Sequence, residues 1–471
     1  MSEKTAGSKK VLEHADASIL DAVKRAARQE QFLEVVSAEE ARRRFDACID
    51  RSPLAGETVP LAAALGRVLA ADVVAPVDAP PFDRSNVDGF AVRAADLAGA
   101  GAGANAVRRL VLNAEVVACG VQPAVEVLPG TATAIATGGV IPRGADAVVM
   151  IEQTELIEKG SAPAIELRRG AASGQFISYA GSDIARGETL LRRGARIGSR
   201  EIGMLAACGF AQVDVVRRPR VAVLSTGDEL TAPGEPLRPA GVYDSNGAII
   251  AAAAAEAGGE PLPMGAFPDD EAVLEQTVRK ALAESDIVVL SGGTSKGAGD
   301  LSHRVVSRLG KPGILVHGVA LKPGKPLCLG VIGDKPIVVL PGFPTSAIFT
   351  FHAFVVPVIR ALAGLAVEAG ETTKARVPVR IASELGRKEF VLVSLIDSEA
   401  GAIAFPTGKG SGSVTSFSQA DGFLEIDALA TSLDAGSVVD VTLIGDATQA
   451  PVLVIMGSHD VALDVVVGAL G

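Results

Sequence analysis

The chain has 471 residues, 48% of them hydrophobic and 21% charged, which is enough to bury several cores and too apolar for a disordered chain. Its net charge is −11, with no tryptophan and 4% aromatic residues. That argues against a nucleic-acid surface and leaves any anion to local donors such as loop amides and a few lysines. Cys48, Cys119, Cys208 and Cys328 form no CxxC pair and join no histidine at ligand spacing. This argues against a zinc site or a disulfide frame and fits a reduced, cytoplasmic protein.

Residues 1–31 are polar and alanine-rich, lack the apolar core of a signal peptide, and read as a flexible leader with a short helix near 19–28. VVSAEEARRRFDACI starts a helix in which Ser37 and Glu40 have capping-box spacing. Residues 82–178 read as an inserted β domain, because RRLVLNAEVVACG and AVEVLPGTATAIATGG alternate and glycine and proline punctuate them. Turns and a helix then close an N-terminal region over 32–218. From 219 to 365 strands alternate with helices: VAVLSTGDEL, SNGAIIAAAAAEAGG, PDDEAVLEQTVRKALAESD, DIVVL, LSHRVVSRLG and KPIVVLPGFPTSAIFTF. That alternation predicts a doubly wound parallel α/β sheet. The apolar run from Pro336 is broken by Pro341, Pro344, His352 and Pro357, so it reads as strand, turn and buried helix rather than a membrane span. Residues 372–446 return to β structure, and 447–471 form a tail.

In an open α/β sheet, ligands bind beyond the carboxyl ends of the strands. Three such ends carry unusual loops here. STGDEL holds Ser225, Gly227 and Glu229. SGGTSKGAGD holds Gly292, Gly293, Ser295, Lys296 and Asp300. PGFPTSA holds Pro341, Gly342, Pro344 and Ser346. Loop amides and helix N-termini make anion nests, so a phosphate-bearing ligand is the functional reading, with ordinary turn chemistry the alternative for any one loop. Glu229, Asp269 and Asp300 would surround that anion, which makes chemical sense if magnesium bridges carboxylate and phosphate. Asp269 equally suits a helix cap. Lys322 and Lys325 flank the turn of LKPGKP, which suits either an anionic substrate or a solvated lysine turn. Asp88 and Asp183 lie on loops whose spacing alone does not separate function from turn chemistry.

The motifs PPFDRSNVDGFAVR, ATGGVIPRGADAVVMIEQTE, AGSDI, STGDEL, YDSN, SGGTSKGAGD, KPGKP, LPGFPTSA and GKGSGSVTSFSQADG occur in this order. Over about 32–446 the chain thereby resembles the molybdopterin molybdenumtransferase (molybdenum insertase) family, which includes the gephyrin E domain. The resemblance implies an elongated cytoplasmic homodimer of multidomain α/β subunits. Each would have a molybdopterin-binding α/β domain, an inserted β domain and a C-terminal β-barrel-like domain. It implies transfer of molybdenum from molybdate to adenylylated molybdopterin, with Mg2+, releasing AMP. Its partners would be the adenylyltransferase that supplies the substrate and the apo-molybdoenzymes that receive the product.

It also assigns residues. Asp88, Thr137, Asp183, Glu229, Asp269 and Asp300 match catalytic positions, and Glu229 and Asp300 the metal site. The loop residues above, with Lys322 and Lys325, match ligand contacts, and Arg387 and Ser411 match positions suited to an oxyanion. The loop 286–300 would then be half a site, its other half including Asp88 and Asp183, from this chain or a dimer partner. One departure stands out: before Asp183, where many members carry arginines, this chain has Ser178 and Tyr179. The tail resembles the start of a periplasmic-binding-protein-like domain. Two rival readings remain, a non-catalytic scaffold of the same fold and the adenylyltransferase. The flanking β domains argue against the latter, and the full set of carboxylates against the former.

Overall fold

The computed structural model describes residues 34–101, 107–158, 162–292, 301–366, 371–399, 401–407, 410 and 412–444. The leader, the tail, Gly293, Ser295, Lys296, Asp300 and Ser411 lie outside them. The described chain divides into two compact units, residues 55–216 and the remainder.

The first helix, α1 (Ala38–Asp46), belongs to the larger unit and is capped by Ser37, whose hydroxyl accepts from Glu40 N. Only half of the expected capping box forms. Glu40 turns instead to Arg43 and Arg44 one turn on, and those two ion pairs pull its carboxyl down to about 2.

In residues 55–216, six strands form a mixed sheet: β1 (Gly89–Val92), β2 (Arg108–Val117), β3 (Thr131–Ile135), β4 (Ala147–Met150), β5 (Thr154–Ile157) and β6 (Ala164–Leu167), in the order β4-β1-β3-β2-β6-β5. Only β2 and β3 run parallel. Phe90, Val92, Leu110, Val149 and Ile165 fill its core. A ribbon pairing 56–60 with 212–216 packs with helix α2 (Ser199–Ala207) over Leu69, Ile197 and Leu205.

In the other unit, the α/β core holds β7 (Arg220–Thr226), α3 (Ser245–Glu256), β8 (Glu260–Phe267), α4 (Glu271–Glu284), β9 (Ile287–Gly292) and α5 (Leu301–Leu309). It continues through β10 (Pro312–His317), β11 (Leu321–Lys322), β12 (Cys328–Ile332), β13 (Lys335–Leu340), α6 (Pro344–Phe354) and α7 (Val356–Leu362). The six-stranded sheet runs β8-β7-β9-β13-β12-β10. Its central strands β7, β9 and β13 are nearly continuous apolar runs because both faces are covered. Val221 and Val223 of β7 meet Ile250, Ala254, Phe351 and Ile359 on one face. The intervening Ala222 and Leu224 meet Leu274, Val278, Val305 and Val306 on the other. β8, β7, β9 and β13 are parallel, as expected of a doubly wound fold, but β12 and β10 are antiparallel. The expectation of a wholly parallel sheet is corrected at that edge. The run Pro344–Leu362 is long and apolar enough to cross a membrane by length and composition. It is two helices, divided at Val355, and two thirds of its most apolar window is buried against the sheet and neighbouring elements.

The last described elements are β14 (Thr372–Arg376), β15 (Lys388–Ile396), β16 (Ile403–Pro406), α8 (Val414–Ser418), β17 (Gly422–Ile426) and β18 (Val438–Leu443). The strand order β15-β16-β14-β18-β17 returns to β15, so the sheet closes into a five-stranded barrel. Closure leaves no free edge. The barrel is tied to the α/β core twice. β11 adds to β15 in parallel, and Phe349 of α6 stacks on Phe390 and meets Phe423 edge-on.

Candidate active site

The carboxyl ends of β7, β9 and β13 converge, and glycines let them do so. A Cβ on Gly292 would lie 2.3 Å from Thr226 O, and its φ of +100 disfavours any side chain, so the β9 tip can lie against β7 only as glycine. Gly342 in turn packs within 3.8 Å of Gly292 Cα, measured from an added Cβ. Glu229 folds back over Gly227, where a Cβ would sit 2.7 Å from its carboxylate oxygen. Pro341 and Ser346 are buried, and Pro344 opens α6 at its first turn, where an absent N–H costs nothing.

Asn246, in the first turn of α3, joins two of these ends. Its Nδ2 donates to Ser291 Oγ at 2.8 Å and to Gly342 O at 2.7 Å. Asp244 caps the same helix by accepting from Gly247 N. Ser225 Oγ and Asn246 Oδ1 are buried and have no hydrogen-bond partner among the described residues. Orphaned polar atoms are costly in a core and ask for an explanation. Asp269 is not the cap of α4: Asp270 fills that role, accepting from Ala272 and Val273. Asp269 instead accepts from Thr226 Oγ1 at 2.7 Å, and its own amide donates to Asp228.

The KPGKP turn meets the barrel. Lys322 Nζ lies 3.1 Å from buried Glu389 and 3.6 Å from Glu384, and Glu384 also pairs with Arg387. Ser383 donates to the other oxygen of Glu389. Lys325 makes no ion pair among the described residues. Thr345 donates to Ser413 O, and Gly412 lies beside the exposed ring of Phe343. The barrel loop before α8 therefore lies over the end of β13.

Asp88, Thr137 and Asp183 are in residues 55–216, a different unit from these loops. Gly89 cannot carry a Cβ, which would fall 1.9 Å from Val149 O, and this fixes Asp88 at the start of β1. The β1–β3 ladder brings it to Thr137, whose amide donates at 2.7 Å and whose hydroxyl donates at 3.0 Å. Those two bonds hold the Asp88 carboxyl below its ordinary range. Asp183 is exposed, its amide held by Ala79 O. Ser178 donates to Asn86, and Tyr179 is half exposed, so neither supplies a cation there.

Asn246, Asp244, Glu384 and Glu389 escaped the sequence reading. The signal for the first two was YDSN itself, a capping aspartate followed by a second polar residue opening an otherwise apolar helix.

Residues 36–209 match the family model for the MoeA N-terminal region (domain I and II), 222–361 that for a probable molybdopterin binding domain, and 374–444 that for the MoeA C-terminal region (domain IV). "Molybdopterin molybdenumtransferase 2" of Mycobacterium tuberculosis is 34% identical over 388 residues, covering 82% of this chain and 94% of that one. The chain belongs to the molybdopterin molybdenumtransferase family. The molybdopterin molybdenumtransferase of Bacillus subtilis is also 34% identical, over 83% of this chain and 90% of its own length. The crystal structure of a molybdopterin biosynthesis moeA protein of Pyrococcus horikoshii superposes with a TM-score of 0.74 at 39% identity, over 87% of this chain and 99% of that one. Membership makes the chain an enzyme of molybdenum cofactor biosynthesis.

Proposed function

We propose that the chain moves molybdenum from molybdate to adenylylated molybdopterin and releases AMP in a magnesium-dependent reaction. The observation that carries this reading is the convergence of three strand ends on a buried Ser225 hydroxyl and Asn246 carbonyl that have no hydrogen-bond partner among the described residues, with the Glu229 carboxylate folded over Gly227 in the loop that follows Ser225. The amides of the glycine loops and of the first turn of α6 suit the phosphates. Glu229 fits a magnesium ion that takes one or two protein carboxylates and completes its shell with phosphate and water; Asp300 is the second carboxylate we assign to it. When bound, the ion would neutralise phosphate charge. Among the described residues no cluster of three His, Cys, Asp or Glu side chains stands ready to hold a metal alone.

Lys322, Lys325, Arg387 and Ser411 suit the molybdate oxyanion, while Asp88, Asp183 and Asp269 are the remaining carboxylates assigned to the reaction. Most of the rate enhancement comes from positioning and fixed charge. The same reading carries a cytoplasmic homodimer that receives its substrate from the adenylyltransferase and passes its product to apo-molybdoenzymes.

The decisive experiment incubates the protein with adenylylated molybdopterin, magnesium and molybdate. AMP release together with activation of an apo-molybdoenzyme is expected. Binding of the pterin nucleotide without either outcome would turn the assignment into a non-catalytic scaffold of the same fold.

A further inference from the structure

Lys322 and Arg387 are two of the three cations this reading assigns to an oxyanion, and both are already engaged by carboxylates, whereas Lys325 makes no ion pair among the described residues. Their surroundings differ in kind. Glu389 is buried, bonded by Ser383, and faces Lys322 from the barrel strand β15. Glu384 is 54% exposed at its side chain and is shared between Lys322 and Arg387. One carboxylate bridging two cations from two segments has the valence and reach of a bound oxyanion.

We propose that Glu384 is the chain's own occupant of the oxyanion site, a competing carboxylate that the incoming tetrahedral anion must displace from Lys322 and Arg387. The inference rests on the proposed role of those two cations.

The local backbone supports exchange by one side chain alone. The loop carrying Glu384 is pinned on both sides, by Ser383 N on Thr431 O and by Gly386 N on Ala428 O. Gly386 takes a φ of +87, a left-handed turn that only glycine adopts freely, and this helps bring residue 387 back beside 384. A rotamer change of Glu384 therefore releases Arg387 and removes one of the two carboxylates on Lys322 without moving the loop, while Glu389 stays on Lys322. With Glu384 in place, Lys322 and Arg387 are balanced by Glu384 and Glu389, so this pair of cations offers a dianion no net attraction. With Glu384 swung into water, a net positive charge remains at the site. Exposed ion pairs of this kind are weak, so a dianion can outcompete the carboxylate while a monoanion gains much less. Glu384 thus sets selectivity for doubly charged oxyanions over chloride or monovalent carboxylates.

The test is titration calorimetry of the full chain with molybdate and, separately, with sulfate, comparing the wild type with Glu384→Gln. The amide keeps the shape and removes the charge. Glu384→Gln is expected to bind both anions about fivefold more tightly, corresponding to loss of a competing exposed pair. Adding Arg387→Gln to that variant should abolish the gain, and Asp440→Asn, which removes an exposed pair elsewhere on the barrel, should change nothing. A purely structural Glu384 would leave affinity unchanged or weaken it, and either result overturns the proposal. So does failure of both proteins to bind either anion. Anion affinity and AMP release are separate readouts, so the proposal can fail while the assigned reaction stands, and the reverse.

Discussion

Two carboxylates proposed to take part in the reaction, one in each unit, are each held by a threonine, and the two arrangements were reached by different routes. Asp269 sits beyond the tip of β7 in the α/β sheet and accepts one bond, from Thr226 Oγ1. Asp88 sits at the start of β1 in the mixed sheet of the other unit and accepts two bonds from Thr137, through its amide and its hydroxyl. The first follows from a general property of open α/β sheets, whose strand ends gather functional side chains. The second depends on a register between β1 and β3, across 49 residues of chain, that nothing local announces. The double bond also leaves its trace: Asp88 is held ionised below the usual carboxylate range.

If the two aspartates are equivalent parts of one reaction, Asp88→Asn and Asp269→Asn should each lower AMP release by about a hundredfold with the fold intact by circular dichroism. Near-normal turnover in either would end the equivalence and make that aspartate structural. Next in size is Asn246→Ala, which strips the donor from Ser291 Oγ and Gly342 O on the α/β side only. It should cost about 1–3 kcal/mol in urea unfolding and raise KM for the pterin nucleotide more than it lowers kcat. A change in stability with no change in KM would show that the clamp serves the sheet rather than the ligand.

Smaller effects separate the two threonines. Thr226→Val removes the one side-chain donor to Asp269 among the described residues and should cost about tenfold in turnover, with Thr226→Ser restoring most of it. Thr137→Val leaves the amide bond to Asp88 and should cost about threefold. The least change is in titration. The Asp88 carboxyl, followed by NMR, should titrate below its ordinary value and move up in Thr137→Val. Because its folded value is depressed, its contribution to stability holds above the unfolded carboxylate range and is lost as pH falls through the folded value. An unshifted Asp88 would remove this distinction between the two sites.

Much of the α/β core was legible because burial on both faces leaves an apolar run, and turn residues mark its ends. The antiparallel edge was not, since β12 and β13 are as uniformly buried as their parallel neighbours, and composition carries no direction. The missed signal was Gly333-Asp334 between them, a short hairpin turn with Gly333 at a φ of +66. The capping box failed for an equally local reason: Arg43 and Arg44 offered Glu40 charged partners where the box offered an amide. Strand-end residues such as Ser225 and Glu229 were visible from the loop pattern. Asn246 was not, because a single amide at a helix start is common, and its two partners belong to segments 45 and 96 residues away. Glu384 and Glu389 were hidden because attention to cations says nothing of the carboxylates that already neutralise them.

The pairing of β11 with β15 has a mechanical side. That ladder makes the turn bearing Lys322 and the strand that follows Arg387 one continuous piece of sheet, and the stack of Phe349 on Phe390 and Phe423 fastens α6 to the same strand and its neighbour. A clamshell that shuts on its substrate needs a pliant seam between its shells, and here the seam is stitched by backbone and by aromatic rings. On the proposed reading, capture at this end of the chain would then need side chains to exchange partners on a braced surface rather than the core and barrel to swing closed.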